Sequence, residues 1–132
     1  MQAYAIDAYK APLTLHHLPD PVAGPGEVIV AIAAASVNPI DVKVRSGAFK
    51  AILPYPMPLV LGHDLAGTVA AVGPGVTRFA VGDRVFACAG GDRIGTFAER
   101  IAIAERDLAL IPASLDLLKA AALPLVALTA WQ

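Results

Sequence analysis

Eleven glycines and eleven prolines cut this 132-residue chain into short apolar runs. Both residues are poorly tolerated inside helices and central strands, so each cluster of them marks a turn. The runs between them then read as short β-strands. Hydrophobic residues make up 57% of the chain and charged residues 16%, which is enough apolar material to build a core from short pieces.

Residues 1–6 and 13–18 read as a first pair of strands, followed by a turn-rich connection over 19–26. Residues 28–37 are the longest strand candidate, with Val28, Val30 and Ile32 at alternate positions. Asn38 reads as a helix N-cap, with Pro39 at the first helical position and Asp41 in the first turn. Gly47 closes that helix, and 51–58 form a proline-rich loop. Further strands are expected at 68–72, at 85–87 after the turn 82–84, within 95–103, and at 108–111. Ser114 is expected to cap a helix through Ala122, Pro124 to break it, and 125–132 to begin another. The fold class expected is mainly β, with a few short helices. The length predicts one domain, and neither repeats nor low-complexity segments occur.

Charge excludes some functions. The net charge is −1 and no basic run is present, so nucleic acid is not an expected partner. The uncharged runs 28–40 and 120–132 fall short of the ~20 residues of a membrane span. The start, Met1-Gln2-Ala3-Tyr4, has no basic region leading into an apolar stretch, so no signal peptide is expected. Cys88 is the single cysteine. That rules out a disulfide framework and favours a cytoplasmic address. The thiol reads as a small apolar filler or a reactive group. His16 and His17 lie in a strand and are expected to do no chemistry.

Asn38-Pro39-Ile40-Asp41-Val42-Lys43 can be simply a helix start, and Gly62-His63-Asp64-Leu65-Ala66-Gly67 follows later in the chain. Taken together they resemble the catalytic half of the medium-chain dehydrogenase/reductases, and more narrowly the zinc-independent quinone and enone reductases. Four further stretches are similar in the same order: 59–69, Ala71 to Val76 with Phe79 and 81–85, Gly95-Thr96-Phe97-Ala98-Glu99, and 123–132. The resemblance implies a GroES-like, partly open β-barrel.

In the zinc alcohol dehydrogenases a metal-binding cysteine stands in place of Asn38, and the last cysteine ligand falls at Leu125. An amide is a poor zinc ligand, leucine is none, and one histidine is too few. The cysteine-rich structural-zinc lobe has no counterpart in 87–95, so no metal is expected. A zinc alcohol dehydrogenase therefore fails on ligands.

The resemblance further implies reduction of a quinone or an α,β-unsaturated carbonyl by NADPH. Asn38 and Thr129 would lie beside the nicotinamide, and Lys43 would donate to the substrate carbonyl oxygen. Asp41, Tyr55, His63 and Asp64 are candidates for the substrate cleft. No G-x-G-x-x-G is present. Residues 1–132 are thus expected to be a GroES-like catalytic domain, incomplete, with its nucleotide-binding domain outside this chain. A non-catalytic GroES-like fragment or interaction module is the alternative. The uncharged stretch 120–131 is expected to expose an apolar surface through which the chain forms homo-oligomers. Substrate identity and the choice of NADPH over NADH stay open.

Overall fold

β3 (Glu27–Ser36) is the spine of the fold. A computed structural model describes residues 1–90 and 93–132. β3 pairs antiparallel with β5 (Asp64–Val72) on one side and with β7 (Arg100–Ala104) on the other. β6 (Arg84–Cys88) and β8 (Leu108–Leu110) extend this sheet in the order β7-β3-β5-β6-β8. A smaller sheet runs β2-β1-β4, from β1 (Gln2–Ile6), β2 (Thr14–His17) and β4 (Leu59–Val60). A bridge between Ala3 and Ala98 links β1 to the segment entering β7. Two register shifts between β3 and β5, one leaving Ala70 of β5 unpaired and the other Ala33 of β3, mark bulges, which bend the strands as a curling sheet requires. The result is the mainly β, partly open architecture expected.

The curl encloses Val28, Val30, Leu65, Val69, Val85 and Ile103, all buried. Alternation places Val28 and Val30 on this face, as their spacing predicts. A second cluster, Ile6, Val44, Leu59 and Leu61, packs beneath α1 (Pro39–Ser46). α2 (Leu117–Ala121) lays Ala120 and Ala121 against Ala66 and Ile111. α3 (Pro124–Trp131) is mostly exposed; Val126 and Leu128 are about half accessible and Trp131 is 90% accessible. No helix among the described residues is long and apolar enough to cross a membrane.

Three local expectations need correction. β5 begins at Asp64, not at residue 68, because Asp64 to Gly67 pair with both β3 and β6. Asp116, not Ser114, caps α2: its carboxylate accepts from the Lys119 amide at 2.8 Å. That hydrogen bond is also the main cause holding the Asp116 carboxyl below the usual range. Pro124 opens α3 at its first turn, where its missing N–H costs nothing.

Candidate functional site

The end of β3, the start of α1, the Gly62 turn and the start of α3 converge on two buried carboxylates. Gly62 makes the convergence possible. Its φ is +104°, and an added Cβ would lie 2.3 Å from Thr96 Oγ1. Only glycine fits there, and the turn delivers His63 and Asp64 into the interior.

Asp41 works in two directions. Its Oδ2 accepts the backbone N–H of Asn38 at 2.7 Å, closing the start of α1. The Asp41 N–H donates back to the Asn38 carbonyl at 3.0 Å. Its Oδ1 lies 2.6 Å from His63 Nδ1. A carboxylate only accepts, so Nδ1 is the donor and the tautomer is fixed. His63 Nε2 is buried without a hydrogen-bond partner among the described residues, as is Thr96 Oγ1.

Asp64 is the second centre and is fully buried. Its Oδ2 accepts from Ser36 Oγ and from Asn38 Nδ2, both at 2.9 Å. Its Oδ1 accepts the backbone N–H of Leu125 at 3.0 Å. Leu125 is in the first turn of α3, whose amides lack intrahelical acceptors, so the carboxylate caps that helix and meets its positive end. Asn38 Nδ2 also donates to Ser36 Oγ at 3.2 Å. Serine or aspartate would cap α1 as well as asparagine does. Neither carries an NH2 group that can donate to two acceptors at once.

Cys88 stands opposite Asp64 across the β5–β6 pair. Burial pushes its thiol up to about 11, and the Asp64 charge adds to the shift.

Of the residues expected to form a site, Asn38, Asp41, His63 and Asp64 are brought together and buried. Thr129 is exposed on α3 and connects only indirectly: its hydroxyl donates to the Leu125 carbonyl at 2.7 Å. Lys43 lies on the exposed side of α1. Tyr55 is half-buried, packs against the apolar cluster beneath α1, and donates its backbone N–H to Tyr9 Oη at 3.3 Å. Two participants escaped the sequence reading. Ser36 carried one signal, as the lone polar side chain near the end of an apolar strand. The Leu125 amide carried none.

Among the described residues, no group of three or more His, Cys, Asp or Glu side chains is arranged to hold a metal ion. The groups turned inward at Asn38 and Leu125 are N–H donors.

Residues 24–113 match the alcohol dehydrogenase GroES-like domain. The chain belongs to that family, within the medium-chain dehydrogenase/reductase superfamily. An NADPH-dependent alkenal/one oxidoreductase of Arabidopsis thaliana is 41% identical over 110 residues, covering 79% of this chain and 28% of that protein. The chain thus spans under a third of that relative's length. An alcohol dehydrogenase superfamily protein from Novosphingobium aromaticivorans superposes with a TM-score of 0.92 at 44% identity, over 99% of this chain and 40% of the other. The quinone oxidoreductase from Coxiella burnetii does so with a TM-score of 0.93 at 34% identity, over 100% of this chain and 43% of the other.

Proposed function

We propose that this chain is the N-terminal catalytic-domain portion of a zinc-independent, NADPH-dependent reductase of quinones or α,β-unsaturated carbonyls. One observation carries the reading: at the positions that hold cysteine ligands in the zinc enzymes, the Asn38 side chain donates an N–H to Asp64 and Leu125 presents only an alkyl side chain. Neither side chain offers a thiolate, Asp64 spends its lone pairs on three N–H or O–H donors, and His63 Nε2 alone cannot hold zinc. The donor set does not fit the metal, and no step is routed through one. The names of the Arabidopsis and Coxiella relatives support the substrate class, and the former supports NADPH.

A bound nicotinamide supplies a hydride to the electrophilic carbon of the substrate. The groups that would face it are of the right kind. Asn38 and Thr129 are joined through Asp64 and Leu125 by a continuous run of hydrogen bonds. Negative charge then grows on the carbonyl oxygen, and without a Lewis acid a hydrogen-bond donor must stabilise it. The exposed ammonium of Lys43 is the donor we assign to that task. Asp41 holds α1 and His63 in place. Solvent delivers the final proton.

The test is NADPH oxidation by the full-length protein with quinones and enones, before and after dialysis against a chelator. Activity that survives dialysis, in protein without stoichiometric zinc, is expected. Activity restored only by zinc would overturn the reading.

A second reading, a non-catalytic interaction module, draws on α3. That helix bears no charge and exposes Val126, Leu128 and Trp131. Such a face favours association, including between copies of this chain. Absence of nicotinamide turnover in the full-length protein, together with self-association of residues 1–132, would favour the module.

A further inference from the structure

Asp64 cannot touch a substrate, because it has no accessible surface. Its partners nevertheless come from three separate elements. Ser36 ends β3, Asn38 precedes α1, and Leu125 opens α3. They lie 28, 26 and 61 residues away in sequence. The two oxygens divide this work. Oδ2 receives the Ser36 hydroxyl and the Asn38 amide, and Oδ1 receives the Leu125 amide alone.

Resting on the functional reading above, we infer that Asp64 is a positioning residue for the nicotinamide site. It orients the Asn38 amide with one oxygen and fixes the α3 turn that leads to Thr129 with the other. The two sides of the site are thereby set by one rigid carboxylate. Withdrawal of either oxygen lets one side drift with respect to the other. The division of the carboxylate also explains why a charge is buried here. Three N–H or O–H donors converge on it, and a neutral amide at this position could accept on only one of its two heads. Its NH2 head would face either the Asn38 and Ser36 donors or the Leu125 amide.

Asp64→Asn is therefore a nearly isosteric variant that must give up one arm. The Leu125 amide offers a local readout. It lies in the first turn of α3, where an amide has no intrahelical acceptor, so its exchange protection reports Asp64. The Asn38 side-chain NH2 resonances report the other arm. In the 132-residue chain, Asp64→Asn is expected to lower Leu125 protection, or to shift the Asn38 NH2 resonances, by the loss of a hydrogen bond to a charged group, about tenfold in the equilibrium. In the full-length protein the same variant is expected to raise the cofactor KM about tenfold, with a smaller change in kcat, below its melting temperature.

The outcomes separate the two claims. An unsubstituted full-length protein without nicotinamide turnover sinks the functional reading and the positioning role with it. An active protein in which Asp64→Asn leaves the cofactor KM unchanged sinks the positioning role alone, whatever happens to its melting temperature. Unchanged Leu125 protection together with unchanged Asn38 resonances does the same.

Discussion

Asp41 Oδ1 and His63 Nδ1 lie 2.6 Å apart in the interior, on side chains that are 2% and 4% exposed. The same carboxylate accepts the N–H that starts α1. Truncation at Asp41 therefore removes a helix cap and leaves a buried imidazole N–H without its acceptor. Asp41→Ala is expected to cost about 2–4 kcal/mol in urea unfolding, the sum of one cap and one buried hydrogen bond. Asp41→Asn keeps the shape and an acceptor, and should cost less. A loss below about 0.5 kcal/mol for Asp41→Ala, the range of ordinary surface changes, would show that the pair contributes nothing to the fold.

Gly62 and Gly75 provide a matched comparison. Both have positive φ, +104° and +79°. A Cβ on Gly62 would meet Thr96 Oγ1 at 2.3 Å and Phe97 Cδ1 at 2.6 Å, whereas one on Gly75 meets nothing within 4 Å. Gly62→Ala is expected to destabilise by about 2 kcal/mol or more, from strain and overlap together. Gly75→Ala meets the same kind of backbone penalty with open space around it, and is expected to cost about 1 kcal/mol. Equal losses in thermal unfolding would mean that backbone conformation, not the packed turn, sets the cost at Gly62.

What the sequence revealed follows the range of the interactions. The start of α1 was legible because Asn38, Pro39 and Asp41 act on one another within three residues. The first half of β5 was not. Gly62 and Gly67 suggest a turn, yet Gly67 lies within the strand, paired with Ile32 and Val85. Strand pairing of that kind is decided by distant partners, which override local preference. The candidate site divides in the same way. Asn38, Asp41, His63 and Asp64 sit in two motifs that composition makes conspicuous. Ser36 joins Asp64 across 28 residues and the Leu125 amide across 61. A backbone amide has no residue type to betray it.

Cys88 is expected to be a poor nucleophile. Burial and the neighbouring Asp64 charge push its thiol from an ordinary 9.0 to about 11. At pH 8 only about one thiol in a thousand would then be ionised, against about a tenth at the ordinary value. Alkylation of the native protein should be correspondingly slow, and faster in Asp64→Asn. The same shift has a sign for stability. The folded thiol holds its proton to higher pH than the unfolded one, so its contribution is intact below pH 9.0 and is lost as pH rises towards 11. Rapid labelling at pH 8 under native conditions would contradict the assigned environment.

Lys43 carries the most exposed claim about chemistry. It stands more than one turn beyond Asn38 on the accessible side of α1. An ammonium at the carbonyl oxygen stabilises charge that exists mainly in the transition state. Its removal should lower kcat more than it raises KM. In the full-length protein, Lys43→Met keeps the length of the side chain and deletes its donors, and the expected loss is about 10²-fold in rate. Asn38→Ala should behave differently, raising the cofactor KM and costing about 1–3 kcal/mol of stability by leaving the buried Asp64 carboxylate one donor short. Melting temperature separates the two, since Lys43 is exposed and its replacement should leave the fold unchanged. If Lys43→Met retains full kcat at an unchanged melting temperature, Lys43 is only a solvated residue on the helix surface, and another donor must meet the oxygen.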